Sequence, residues 1–312
     1  MPPRLIVNAD DFGLTPGINR AVIELHLAGV VTSATLMATG PAFDDAVALS
    51  LKHPTLGVGC HLVFVDGIPI SHPLDIPTLL GGDGKTFRPS VLDFAQAALR
   101  GTIRAGDLAR EAQAQIQKLQ RAGIDVTHVD THKHTHVFPA VAKMVQHIAE
   151  RCGIGSMRHP FEPRWSSALA NAPLRRQVEM RLVQMLEPGF CALTHDAAEH
   201  GLIPRGTLGV AATGTLDAQT LHRMVDCMLH RYPEDTYELL CHPGHSDAAL
   251  AAQTTRLRES REVEFVALME VLPKYCRTAN GIELIHYGNL GVPGLQRASG
   301  QYAPSTGYEK VL

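Results

Sequence analysis

Short apolar runs alternate with longer amphipathic stretches along most of the chain. Leu5-Ile6-Val7 is apolar without interruption, which predicts a fully buried strand over 4–9. Thr15-Pro16 then supplies a hydroxyl cap and a proline at the first helical position, so a helix runs to about 28 and stops at Gly29. The same rhythm repeats, with a strand over 33–38, a helix over 44–52 and a strand over 56–60. Strand and helix taking turns at this spacing argue for a parallel α/β sheet or barrel.

Residues 64–90 break the rhythm, because Pro69, Pro73, Pro77, Gly81, Gly82, Gly84 and Pro89 interrupt any periodicity. An irregular loop of this length in a compact domain is usually a lid or a binding loop. Its apolar residues, among them Val63, Phe64, Val65, Ile68, Ile70, Ile76, Leu79 and Leu80, suggest an apolar lid; the plainer alternative is that they pack the loop onto its own barrel. Beyond it the pattern predicts a helix over 107–122, a strand over 124–130 and a helix over 139–152. Residues 160–206 mix helix with loop, and 218–230 is helical. A strand over 236–241, a charged helix over 256–272 and a last strand over 282–285 complete the series. One domain over 1–287 and a Gly/Pro/Ser-rich tail over 288–312 are expected, with no repeat and no linker.

The polar residues that matter sit at the ends of these strands. Asp10-Asp11 closes the first, His61 the third and His242 the one over 236–241, while His128, Asp130, His132, His134 and His136 cluster around the end of the fourth. If 128–136 is extended, all five side chains share a face; if it turns helical after His132, then His132 and His136 still do. Imidazole with carboxylate is a ligand set for zinc and other divalent metals. Active sites of α/β barrels lie at this C-terminal strand edge.

Composition changes this picture little. The chain has 312 residues, 45% of them hydrophobic, which is enough for a sizeable core. A net charge of −3, with 17 histidines taken as neutral, gives no nucleic-acid footprint. Six scattered cysteines without a CxxC read as buried thiols of a reducing compartment. Without a leader-like segment or an apolar run of about 18 residues, the expected location is the cytoplasm. A peripheral membrane contact and a homodimer stay open.

The strings Asn8-Ala9-Asp10-Asp11-Phe12-Gly13, Gly57-Val58-Gly59-Cys60-His61-Leu62, Asp130-Thr131-His132-Lys133-His134-Thr135-His136 and Glu238-Leu239-Leu240-Cys241-His242-Pro243-Gly244 resemble the YdjC-like carbohydrate deacetylases, in the same order over 3–285. His61 to Pro69, Ile76-Pro77-Thr78-Leu79 and Lys133 are similar to the hopanoid-biosynthesis branch, linked to an N-acetylglucosaminyl hopanoid. The resemblance implies a distorted (β/α) barrel and a divalent metal, zinc or magnesium, for removing an N-acetyl group from an amino sugar. It implies Asp11, His61 and His132 as ligands and Asp10 as general base; the residues alone do not separate His132 from His128, His134 or His136.

His242 is the candidate general acid or oxyanion stabiliser, and its fixed place before Pro243 is the plainer reading. Asp130, His134 and His136 are expected to line the sugar site or brace the ligands. Phe64, Phe87, Trp165 and Tyr302 are aromatic candidates for stacking on a sugar, with Phe64 as the expected contact, although ordinary packing is the plainer reading for each. Glu262 and Glu264 read as a solvated helix face. A chitooligosaccharide deacetylase, a metal-dependent glycosidase or phosphoesterase, and a non-catalytic metal- or sugar-binding protein are the competing functions.

Overall fold

Eight parallel strands form one curled sheet in the computed structural model, which describes residues 3–276 and 281–291. They are β1 (Arg4–Phe12), β2 (Ser33–Leu36), β3 (Gly57–Leu62), β4 (His128–Thr131), β5 (Ser156–Met157), β6 (Thr207–Leu208), β7 (Thr236–Cys241) and β8 (Glu283–Ile285). The order is β5-β4-β3-β2-β1-β7-β6. One edge of β1 is shared: Arg4 to Ile6 pair with β8, and Asn8 to Phe12 with β2. This is the expected distorted barrel.

The two faces of β1 explain why the chain curls. Leu5, Val7 and Ala9 point outward into the main core beneath the helices. Ile6, Asn8 and Asp10 point inward, and Ile6 joins a separate cluster with Ile285, Tyr287 and Leu290. The helix Pro16–Leu27 is capped by Thr15, whose hydroxyl accepts from the Ile18 amide at 3.2 Å. It lays Ile18, Val22 and Leu25 on the sheet, and each such burial contributes roughly 1.5–3 kcal/mol. The barrel interior is polar instead, filled by Asn8, Thr35, His128, Asp130, Arg158, Glu238 and Tyr287, all at most 1% exposed.

Among the described residues no ladder closes the gap between β5 and β6. A short segment after β5 seals it: Thr207 donates its amide to the Phe161 carbonyl (3.2 Å) and its hydroxyl to the His159 carbonyl (2.7 Å). The buried Glu162 carboxylate accepts the amides of Gly209 (3.0 Å) and Ala211 (2.6 Å), which lie just past β6. Both edge strands have two residues, too short to register as periodicity in the sequence.

Two expectations about segments need correction. The 64–90 loop does not present an apolar underside. Val63, Phe64, Val65, Ile76, Leu79 and Leu80 are 0–6% exposed and pack onto the barrel; Ile68 remains in solvent. The helix Ala105–Arg121 holds the loop down through its polar side chains. Glu111 accepts the amides of Ile70 and Ser71, Asp107 accepts that of Thr78, and Gln115 bonds both backbone groups of Val63. An unexpected helix, Val91–Leu99, follows the loop. At the other end, Tyr287–Asn289 forms a 3-10 turn and Leu290 is buried, while the rest of the Gly/Pro-rich tail, Tyr302 included, lies outside the described residues.

Candidate metal and catalytic centre

Adjacent residues of a regular strand face opposite ways, so Asp10 and Asp11 could not both serve one site without a break. The break is a bulge. The β1–β2 register slips between Ala9 and Phe12, and Asp11 takes a left-handed φ of 63°, which re-aims its carboxylate onto the strand-end edge. The histidine block breaks as well. It is neither a continued strand nor an α-helix: β4 ends at Thr131, and Lys133 and His134 are both left-handed (φ 55° and 54°). The block therefore fans out instead of sharing a face. His128 stays in the barrel interior, stacked on Tyr287 at 3.7 Å. Gly59 makes this possible, because a Cβ there would fall 2.4 Å from the His128 ring.

Three side chains converge. Asp11 Oδ1 lies 3.6 Å from His61 Nε2 and 3.4 Å from His132 Nδ1, and the two nitrogens are 3.2 Å apart. Four-coordinate ligands at about 2.0–2.2 Å from a metal stand about 3.3–3.6 Å from one another, so the set fits a divalent ion. Asp130 Oδ1 lies 2.7 Å from His61 Nδ1, which leaves Nε2 free to ligate. Burial lowers the affinity of His61 for a proton, but Asp130, Asp10 and Asp11 together hold its pKa up at about 9. A metal must displace that proton. Arg261 Nη2 donates to Asp11 Oδ2 at 2.5 Å, so Oδ1 alone faces the histidines.

Asp10 sits beside this set. Arg158 grips both its oxygens, Nη1 to Oδ2 at 2.8 Å and Nη2 to Oδ1 at 2.6 Å. Burial would raise the Asp10 pKa, yet the guanidinium holds it well below the usual carboxylate range. The same guanidinium meets Asp130 (2.7 Å) and Glu238 (2.6 Å). Arg158 thus faces three buried carboxylates from β1, β4 and β7. His242 completes the edge, with Nε2 3.9 Å from Asp10 Oδ2. Burial brings its pKa down to about 4, so its imidazole rests neutral.

Glu264 is 1% exposed, which overturns its reading as a solvated residue; Glu262 does face solvent. The Glu264 carboxylate accepts the amides of His242 (2.6 Å) and Gly214 (3.3 Å), and burial pushes its pKa up to about 7. The pattern could have found it. Arg261, Glu264, Leu268, Val271 and Leu272 fall on one helical face of Ser260–Cys276, and that face is the buried one.

Phe64 as a substrate contact is corrected, and the residues around the histidine block sort into braces and a half-exposed remainder. Phe64 is wholly buried in the core, so it cannot stack on a sugar. Phe87 and Trp165 are packed too, the latter against Tyr232. Asp130 is 0% exposed with its oxygens engaged by His61, Thr35 and Arg158, so it braces rather than touches. His136 is 0% exposed and bonded to Thr131 through Nδ1 at 2.6 Å. His134 keeps partial exposure, and its buried Nδ1 has no partner.

The family model described as "YdjC-like protein" matches residues 4–272. The chain belongs to the YdjC-like family. Within it, the chain is 42% identical over 289 residues to a carbohydrate deacetylase of Brevibacillus brevis, covering 92% of this chain and 100% of that one. It is 31% identical to a carbohydrate deacetylase of Geobacillus stearothermophilus, over 92% and 98% of the two chains. A chitooligosaccharide deacetylase of an Enterobacter species is 40% identical over 155 residues, 49% of this chain and 58% of its own. The fold is shared with a crystal structure titled a putative cellobiose-phosphate cleavage protein from Enterococcus faecalis, at a TM-score of 0.70 and 23% identity, over 92% and 98% of the chains.

Proposed function

We propose that this YdjC-like protein is a metal-dependent hydrolase that removes the N-acetyl group from an N-acetylglucosamine-containing saccharide. The observation that carries the reading is the set Asp11, His61 and His132, flanked within one strand-end edge by Asp10 and His242. A pure binding site needs no second carboxylate beside its ligands, so Asp10 favours an enzyme. The names of the carbohydrate deacetylase relatives support the substrate class.

Bound at Asp11, His61 and His132, zinc or magnesium would polarise the amide carbonyl and lower the pKa of water. The chain's own groups move the protons. Asp10 takes the proton of the attacking water; its clamp by Arg158 fixes the carboxylate in place and makes it a weak base. His242 starts neutral, so it must first receive a proton. Asp10 Oδ2 stands 3.9 Å from Nε2, beyond direct hydrogen-bond reach, so the two must close on each other or be bridged by a water for the transfer. From there the proton goes to the amine nitrogen as the C–N bond breaks, and acetate and a free amino sugar result.

The aglycone is a finer question. The inward-turned loop gives no support to a lipid-linked sugar. The hopanoid reading rests on sequence strings, two of whose residues meet: Lys133 Nζ lies 3.0 Å from Asp66 Oδ2, tying the turn after β4 to the loop after β3. Acetate release from diacetylchitobiose, compared with release from an N-acetylglucosaminyl lipid, separates the two branches. In the same assay Asp10→Asn should keep its metal and lose about 10²–10⁴-fold in turnover, whereas Asp11→Asn should lose both. No acetate from either substrate with zinc, magnesium or other divalent ions would leave the non-catalytic reading standing.

A further inference from the structure

The helix Leu174–Gln184 turns its apolar residues the wrong way for a globular protein. Leu174, Val178, Leu182 and Met185, the last being its C-cap, are 75%, 46%, 61% and 75% exposed. Spaced at i, i+4, i+8 and i+11, they fall within about 80° of arc on one face. Only Met180, on the opposite side, is buried. Arg175 and Arg181 stand about 60° to either side of the stripe's centre. The exposed part of the helix carries these two arginines against Glu179, while Arg176 is half-buried on the far side and donates to the Val210 carbonyl. The Arg175–Glu179 pair (2.9 Å) is in solvent and does little to neutralise that face.

We propose that this helix docks the protein on an anionic lipid surface, with the apolar stripe entering the headgroup boundary and Arg175 and Arg181 meeting lipid phosphates. Exposed leucine, valine and methionine flanked by arginines are the features of an interfacial helix. A second copy of the chain fits the face less well. Four partly exposed aliphatic side chains cannot supply the roughly 800 Å² per partner of a stable pair, and two copies would bring like-charged faces together. No helix among the described residues is long and apolar enough to cross a membrane, so the contact is at the surface. The helix also lies close to the site along the chain. Phe190, a few residues on, packs its ring 6.4 Å from His136 and 5.2 Å from His159. The inference does not depend on which sugar is deacetylated.

The test is co-sedimentation of the full chain with vesicles of phosphatidylglycerol and phosphatidylcholine, beside vesicles of phosphatidylcholine alone. Binding should need the anionic lipid and weaken as ionic strength rises. Val178→Asp with Leu182→Asp should bring binding down to the neutral-vesicle level. Arg175→Ser with Arg181→Ser should weaken it about 25-fold, about fivefold per arginine. None of these residues touches the metal set, so thermal unfolding and turnover of a soluble amino sugar should stay at wild type and verify the fold. Absence of vesicle binding, or binding indifferent to lipid charge, overturns the proposal. So does a concentration-dependent dimer of the wild type that the Val178→Asp, Leu182→Asp pair abolishes.

Discussion

Asp130→Asn separates bracing from catalysis. Asp130 touches no solvent, yet its Oδ1 orients His61 and its Oδ2 meets Arg158 at 2.7 Å. The substitution keeps the shape and removes one charge. Arg158 retains Asp10 and Glu238, so it is not left as a lone buried cation, and the 3–5 kcal/mol cost of an orphaned charge is not expected. A loss of about 1.5–3 kcal/mol for the charged hydrogen bond is. The larger effect falls on the metal. A carboxylate behind a ligating histidine is worth about 10–100-fold in metal affinity, which is about 1.4–2.7 kcal/mol. The assay is a titration of metal-free protein with zinc, followed by turnover at limiting and at saturating metal. The expected variant binds weakly, is nearly inactive at limiting metal, and recovers most of its kcat when metal is in excess. Wild-type affinity, or an activity loss that excess metal does not repair, would refute the bracing role.

Three further outcomes follow from the packing and the titrations. Glu264→Gln should leave metal content unchanged and lower kcat about tenfold or more with KM steady, because it disturbs the amide that positions His242; unchanged kcat would remove Glu264 from the site. Phe64→Ala should cost about 3–5 kcal/mol of stability and leave the KM for a soluble sugar as it was; a raised KM without lost stability would restore Phe64 to the sugar pocket. Stability of the metal-free protein, followed by urea unfolding, should peak near neutrality. His136, His159 and His242 are held to about 3, 4 and 4 against an ordinary 6.5. The unfolded chain therefore gains protons that the fold refuses as pH falls below 6.5, at up to about 1.4 kcal/mol per unit per histidine until the folded values are reached. His61, raised to about 9, acts oppositely: its stabilisation is full below 6.5 and lost as pH rises through 9. A stability flat from pH 5 to 9 would contradict both.

Much of the edge was legible because its residues stand at the ends of long, regular elements. The strand over 236–241 coincides with β7, and the helix over 218–230 falls one residue short of Ala218–Arg231. Asp10, Asp11, His61, His132 and His242 all stand where the strand-end argument put them. What stayed hidden depends on tertiary closure. Arg158 follows a strand of two residues and faces partners more than 80 positions away on average, so no local pattern marks it. Asp130 and His136 Nδ1 are buried polar groups whose partners are distant in sequence or hidden behind a turn. The loop after β3 misled for a related reason: its apolar residues declare burial somewhere, and only the carboxylates of the Ala105–Arg121 helix decide that they face the barrel.

The seam between β5 and β6 makes assembly and charge balance one event. Asp10, Asp130 and Glu238 come from three different strands, and the cation that reconciles them travels on the segment that shuts the barrel. A chain with every other strand in place would hold three carboxylates in an enclosed space with only the His61 imidazole to offset them. Such an intermediate should stay loose at neutral pH and tighten in mild acid, where protonation of the carboxylates stands in for the missing guanidinium. Closing the last gap thus acts as a proofreading step: a barrel with a misplaced seam cannot dry its own interior.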